Sequence, residues 1–321
     1  MKLLAPLSQE QIISTWGNKT QPLVSVTIIT YNHELYIEQA IISVMAQVTN
    51  FPFEVIIHDD ASTDNTQAII KKYVQKYPQI IIPILQTENH WLGKGINATT
   101  TIVWPSAKGK YIAWLEGDDY WTDPYKLQKQ VDFLEANPDF NICFHKVKVL
   151  KDTELVDDWI TNPPAEVTTI NHLIEFENYI RTPSVVFRNI ALNFPSVFNA
   201  TSICDYFLYV LLTQNGGKIK YFDDTMAVYR YGVGIHSNNT NENNTWSWAI
   251  MLYLISTCIN VEYKTIFKQK YIETRHALKD FYYREASKDL EKLDRYISWK
   301  VILKLMFYKV KRKMFKGKIF N

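Results

Sequence analysis

The chain has 321 residues, 47% of them hydrophobic and 21% charged, which excludes a disordered polypeptide and allows one full α/β core with an appendage. A formal net charge of +2 leaves no global basic field, so nucleic acid is not expected as a partner. Cys143, Cys204 and Cys258 are too far apart for a zinc or disulfide framework, residues 1–21 hold too short an apolar core for a signal peptide, and no run approaches the ~18 apolar residues that span a bilayer, so a reducing cytoplasmic location is expected.

In chain order, Val24 to Thr30 is a β-branched strand run ending at Tyr31-Asn32, and Ile37, Ile41, Val44 and Met45 then recur at helical spacing. Val55-Ile56-Ile57 repeats the strand and ends in His58-Asp59-Asp60-Ala61-Ser62-Thr63-Asp64. A second amphipathic helix follows through Ile69, Ile70, Tyr73, Val74 and Tyr77, with Asp64 as its expected N-cap. Two βα units in series imply a parallel sheet. Ile80 to Leu85 is a third strand, placed at an edge or irregular position by Pro83, and Tyr111 to Leu115 is a fourth. Leu127, Val131 and Leu134 form a helix stripe stopped by Asn137-Pro138, and Ile142 to Leu150 is another strand. Residues 151–169, acidic and containing Pro163-Pro164, read as an irregular connection, and from about Asn244 the pattern turns helical. The expected organisation is an α/β domain over 1–243, in halves of about 22–150 and 151–243, with a helical extension over 244–321.

Two strand runs end in acid. The fourth runs into Glu116-Gly117-Asp118-Asp119, the second into Asp59-Asp60. Ligands of open α/β sheets bind beyond the carboxyl ends of the strands. Hard carboxylate oxygens there suit Mg²⁺ or Mn²⁺, which take one or two carboxylates, several waters and a substrate phosphate, so a nucleotide is the expected co-ligand. Asp60 is placed to accept from a uracil N3–H or a ribose hydroxyl, and Asp119 to hold the ion. The plainer alternatives are an Asx-type turn at Asp59 and a solvated turn at Asp118-Asp119 before a helix capped by Asp123, with Pro124 at its first position. His33, His58, His90, His145, His172 and His276 show no paired ligand spacing and are assigned no chemistry.

The order Val24–Asn32, Asp59–Asp64, Glu116–Trp121 resembles the family 2 glycosyltransferases of the GT-A fold, a Rossmann-like, mostly parallel sheet flanked by helices, over roughly Gln21 to Ser237. The run Glu116 to Trp121 with Asp123-Pro124, Lys126-Leu127 and Lys129-Gln130 is most similar to bacterial members that build surface polysaccharides. The resemblance implies metal-dependent, inverting transfer of a sugar from a nucleotide diphosphate to an acceptor hydroxyl, with residues 151–243 as the acceptor half. Asp118 and Asp119 match the family's metal-binding motif. Asp60, beside Asp59, matches the aspartate that contacts the base, which favours a UDP-sugar. Thr30, Tyr31, Asn32 and Glu34 match the first nucleoside-contacting loop.

Asp205, before the apolar run Tyr206 to Leu212, fits the general base, with a simple N-cap as its plainer alternative. Lys94 is a candidate cation for the leaving diphosphate, and Tyr229-Arg230 resembles the segment that closes over donor and metal in relatives. Many relatives carry His two residues after that Arg; here the position is Gly232, which leaves His236 as the candidate third metal ligand. The acceptor would be a saccharide or lipid-linked saccharide. The processive signature Gln-X-X-Arg-Trp is absent, so a single transfer is expected.

Two other classes stay open. A sugar nucleotidyltransferase would show a glycine-rich phosphate loop, which Thr30 to Glu34 does not offer; a silent nucleotide-sugar-binding scaffold would not need Asp118, Asp119 and Asp205 together. In the tail, Trp299, Ile302, Leu303, Met306, Val310 and Met314 alternate with Lys300, Lys304, Lys311, Arg312, Lys313, Lys316 and Lys318, a pattern for peripheral contact with the anionic inner face of the cell membrane or for a helix packed on its own domain. The oligomeric state stays open.

Overall fold

Why the early strands read so clearly is visible in the computed structural model, which describes residues 4–91, 97–190, 195, 197–198, 201, 203–233 and 241–285. β1 (Val24–Thr30), β2 (Phe53–Asp59) and β4 (Tyr111–Glu116) are buried along almost their whole length. Strands covered on both faces need near-continuous apolar runs, which β4 and the middle of β2 have; in β1 the buried Ser25 and Thr27 alternate with apolar residues, and Ser25 donates to the buried Glu54 of β2 at 2.6 Å. With β3 (Ile81–Leu85) they form the parallel stretch β3-β2-β1-β4, in which Pro83 lies on the terminal strand as expected. The helices α2 (Ile37–Met45) and α3 (Thr66–Lys76) follow β1 and β2. A shorter α1 (Gln9–Ser14) precedes them, closed by a reciprocal Ser8–Gln11 capping box.

Helix α3 starts at Thr66, so Asn65 and not Asp64 holds the N-cap position. Asp64 still serves the helix end: Thr66 N–H donates to its Oδ1 at 2.9 Å and Glu34 N–H to its Oδ2 at 3.0 Å.

Beyond β4 the sheet is mixed. β5 (Tyr120–Trp121), β6 (Phe140–Lys151), β9 (Val186–Arg188) and β10 (Lys218–Tyr231) extend it in the order β4-β9-β6-β10-β5, with β6 and β10 parallel and the other joints antiparallel. The expected irregular connection over 151–169 is corrected here. The chain turns at Asp152, φ +55°, and returns as β7 (Glu154–Asp157) along β6, and β8 (Val167–Thr168) pairs with β10. β7 is almost wholly exposed. It is held by backbone hydrogen bonds rather than by burial, so it carries no apolar alternation to detect.

Helix α4 (Lys126–Ala136) lies over a buried polar network. Lys126 Nζ stands 4.2 Å over the Trp121 ring and donates to Gln130 Oε1 at 2.8 Å, and Gln130 Nε2 donates to the Ser184 carbonyl at 2.9 Å. Trp121 Nε1 donates to the Pro183 carbonyl at 2.9 Å. Burial outweighs the nearby Asp123 and lowers the Lys126 ammonium to about 7. Two further helices belong to this part, α5 (Ile170–Phe176) and the fully apolar-faced α6 (Cys204–Thr213).

The structure divides into two compact units, one of Met1–Phe194 with Cys204–Asn238, the other of Pro195–Ile203 with Asn239–Asn321. In the second, α7 (Asn241–Cys258) and α8 (Val261–Glu285) pair as a helical hairpin, with the Tyr253 and Tyr271 rings 5.2 Å apart. Among the described residues no helix is long and apolar enough to cross a membrane. The basic stripe from Trp299 onward lies outside the described residues.

Candidate active site

The parallel ladder brings the acidic strand ends into one row. Thr30 pairs with Asp59, Ile29 with Glu116 and Asp59 with Leu85, so the loops after β1, β2 and β4 leave the sheet at one level. Opposite them, β5 pairs antiparallel with β10, Val228 against Tyr120. Continuing that register sets Arg230 beside Asp118. Arg230 N–H donates to Asp119 Oδ1 at 2.7 Å, and its guanidinium donates to the Asp118 carbonyl and to Gln39 Oε1. The same guanidinium lies 5.0 Å from the Tyr36 ring centroid and 4.8 Å from that of Tyr120.

The electrostatics of this corner are unbalanced. Asp119 is fully buried and its Oδ2 has no hydrogen-bond partner. Burial first, then the Asp118 charge, holds the Asp119 carboxyl well above the usual carboxylate range, against the pull of the Arg230 N–H. Burial likewise raises Asp118, opposed by His33 and Arg230. Burial, with the charges of Asp118 and Asp205, pushes Glu116 up to about 8. Asp205, in the first turn of α6, is therefore part of the same acidic group, and Asn178 Nδ2 donates to its Oδ2 at 2.8 Å. Several carboxylates outnumber the single guanidinium, and with the orphaned buried oxygen they make a hard oxygen donor set that a divalent cation fits, with Asp118 and Asp119 as the residues able to hold it.

A carboxylate raised on folding contributes stability that is complete below its ordinary value and lost as pH rises through the folded value. Lys126, lowered to about 7, and the depressed His33 and His145 act on the slope with the opposite sign. The expectation is therefore read as a difference: the stability of the metal-free parent relative to Glu116→Gln falls as pH rises from about 4.5 to about 8. Because Glu116 keeps some solvent contact, we expect about 1 kcal/mol between pH ~6 and ~8, below the linkage limit. Urea unfolding at the two pH values measures it, and parallel slopes in the two proteins would contradict the raised value.

Around the end of β2, the side chains separate into two kinds. Asp59 accepts from Ser62 N–H at 2.9 Å, Gln67 Nε2 at 2.7 Å and the Ser62 hydroxyl, which shapes the turn. Asn32, at φ +55°, accepts Thr63 N–H at 2.8 Å, and Glu34 accepts Asn65 N–H at 2.9 Å, tying the loop after β1 to the loop after β2. Thr30 Oγ1 is buried without a partner, and Tyr31 is part-exposed. Asp60 accepts His90 N–H at 2.8 Å and Trp91 N–H at 3.0 Å. Lys94 and His236 lie outside the described residues.

Two features escaped the sequence. His33 faces Asp118 and stands against Gly117, where an added Cβ would come within 2.9 Å of its Nδ1 and 2.7 Å of Thr30 Oγ1, so only glycine fits between the first loop and the acidic pair. His58 and His90, 32 positions apart by number, converge with Asp60. Sequence spacing carries no trace of either approach.

A GT-A-like α/β unit with an acidic row at the carboxyl ends of its parallel strands is the class this geometry defines, and comparison gives the family. Residues 25–193 match Glycosyl transferase family 2, and the chain belongs to that family. It is 41% identical over 228 residues to an uncharacterised protein of Mycobacterium tuberculosis strain H37Rv, covering 70% of this chain but only 63% of that relative. The glucosyltransferase WfaP of Escherichia coli, named for UDP-Glc and α-D-GlcNAc-diphosphoundecaprenol, is 28% identical over 219 residues, 68% of this chain and 80% of its own. Among solved structures, Staphylococcus aureus TarS 1-349 in complex with UDP-GlcNAc superposes with a TM-score of 0.58 at 19% identity, over 79% of this chain and 72% of that one. The mannosyltransferase PcManGT of Pyrobaculum calidifontis, in complex with GDP-Man and Mn²⁺, gives 0.55 at 16% identity over 92% and 87%. At such identities the structures establish the fold alone.

Proposed function

We propose that the chain is a metal-dependent inverting glycosyltransferase that moves one sugar per encounter from a nucleotide diphosphate donor, a UDP-sugar foremost, to a saccharide or lipid-linked saccharide in surface polysaccharide assembly. The observation that carries it is the buried, unpartnered Asp119 Oδ2 within an acidic group at the strand ends of a family 2 chain. Asp118 and Asp119 would hold Mn²⁺ or Mg²⁺. When bound, the ion supplies Lewis-acid stabilisation to the leaving diphosphate.

The chain's own residues divide the rest. Asp60 and the loop Thr30 to Glu34 receive the nucleoside, and Arg230 lends positive charge at the acidic pair. Asp205, held by the Asn178 amide, accepts the proton of the acceptor hydroxyl as its oxygen bonds to the sugar's anomeric carbon and the bond to the diphosphate breaks on the opposite face. Tyr231, next along β10, and Trp159, in the segment after β7, have rings 40% and 53% exposed and 5.3 Å apart, on which a saccharide acceptor can stack. The name of the E. coli relative supports an acceptor carried on a lipid diphosphate, and the basic stripe from Trp299 is proposed to bring the enzyme to it at the inner membrane surface.

A thermal-shift screen across nucleotide sugars with Mn²⁺, followed by acceptor-free hydrolysis of the best ligand, tests the reading. A ligand bound only by the native state raises its melting temperature, and UDP-sugars should lead. A clear preference for guanosine or thymidine nucleotides would move the donor assignment, and binding without any turnover would favour the scaffold.

A further inference from the structure

One ring nitrogen each of His58 and His90 and one carboxylate oxygen of Asp60 lie within 4.8 Å of one another. No other group of three such ligands converges among the described residues, the acidic pair included. His58 precedes Asp59, the final residue of β2, and Asp60, the next residue, continues the ladder by donating its N–H to the Thr30 carbonyl at 3.1 Å, so residues two apart project to the same side of the sheet. His90 arrives from the segment after β3, and that segment is fastened to the same carboxylate: His90 N–H and Trp91 N–H donate to its two oxygens, and Asn89 Nδ2 donates to the Asp60 carbonyl at 2.8 Å. Each carboxylate oxygen keeps a lone pair after those bonds.

The imidazoles are left incomplete. His58 is fully buried; its Nε2 lies 3.3 Å from the Gln86 amide nitrogen while its Nδ1 is buried with no partner, and Nδ1 of His90 is buried with no partner either. With the Gln86 amide turned over, its carbonyl accepts Nε2–H and leaves the His58 lone pair on Nδ1, the outer-shell arrangement that orients metal-bound histidines. Two imidazoles and a carboxylate select a borderline cation over Mg²⁺ or Mn²⁺. Tetrahedral zinc with bonds near 2.1 Å sets its ligands about 3.4 Å apart, so the three ligand atoms, now within 4.8 Å of one another, would close by up to about 1.4 Å on binding.

We propose that His58, Asp60 and His90 form a binding site for a borderline divalent cation of the Zn²⁺ class, separate from Asp118 and Asp119, and that its occupation excludes the nucleotide base from Asp60. The second half rests on the reading of Asp60 as the base contact. One chain would then answer two classes of metal in opposite senses, the hard ion at the acidic pair serving transfer and the borderline ion at the end of β2 blocking the donor. Linkage makes the exclusion reciprocal, so the base must weaken the ion as much as the ion weakens the base.

Calorimetric titration of Zn²⁺ alone into the full-length, metal-free protein tests it. Outer-shell changes by themselves cost metal sites 10- to 100-fold, so loss of a ligand in His90→Ala should weaken the site by more than about 100-fold. His90→Gln, which keeps the size and polarity of the part-exposed side chain, should do the same, and Asp119→Asn should retain the site. Saturating uridine, which offers the base without chelating phosphates, should weaken Zn²⁺ several-fold in the parent. Zn²⁺ affinity unchanged in both His90 variants, or lost in Asp119→Asn, overturns the site. Binding that needs His90 but ignores uridine overturns the exclusion and the assignment of the base to Asp60, while leaving transfer chemistry at the acidic pair standing.

Discussion

Asp119→Asn is expected to lower sugar transfer by at least about 10³-fold while leaving the metal-free protein as stable as the parent or more so. The two halves of this expectation have one cause. Asn keeps an acceptor for the Arg230 N–H that Asp119 Oδ1 receives at 2.7 Å, so the joint between β5 and β10 survives. What it removes is a buried carboxyl whose second oxygen has no partner and whose ionisation burial and Asp118 oppose. Removing a group that is costly to ionise in place relieves the empty fold. It also removes the reason for a divalent ion to bind. Kinetics with Mn²⁺ and melting curves with and without the ion measure both effects; the parent should gain stability on metal addition and the variant should not. Normal turnover in the variant would end the assignment of the metal to this pair, and a large drop in metal-free stability would mean that the carboxylate serves the fold instead.

Asp205→Asn should cost about 10² to 10⁴ in kcat with donor affinity unchanged, the range of a lost general base. Asn preserves the partner of Asn178 Nδ2 and the first turn of the apolar helix α6, so the backbone that carries the side chain stays in place. It also removes one of the charges that raise Glu116. A base should therefore show two signatures at once: a lost limb in the kcat–pH profile, and a Glu116 that ionises more readily in the variant, followed through the pH dependence of unfolding. If donor binding falls while transfer survives, Asp205 belongs to the donor site.

Much of the corner was legible because β2 and β4 are buried on both faces, and an apolar run that stops in acid marks both the strand and its end. Asp59 and Asp60, or Asp118 and Asp119, are adjacent in the chain, so no folding knowledge was needed to find them. Their unequal roles were less visible: that Asp59 is taken up by Ser62 and Gln67 while Asp60 holds the His90 segment depends on the direction of each side chain in the turn. Arg230 could be named from its resemblance to a closing segment, but its contact with Asp119, 111 positions away, follows from the pairing of Val228 with Tyr120. β7 escaped because an exposed strand needs only backbone partners. Lys126 and Gln130 carried the bacterial resemblance, and the structure gives them a physical role as the buried network beneath Trp121.

Because Thr30, Asp59 and Glu116 take their positions from paired strands, and Asp60 N–H extends the ladder by donating to the Thr30 carbonyl at 3.1 Å, misregister is a distinct way for this protein to fail. A slip of one residue between β1 and β2 would turn every side chain of the shifted strand to the other face and carry Asp60 away from the row, while much of the apolar burial could re-form around it. Such molecules would be compact, soluble and inert. The converse holds for change by mutation or grafting: segments beyond Thr30, Asp59 and Glu116 can be exchanged to retune recognition, so long as the residues up to those points keep their partners across the ladder.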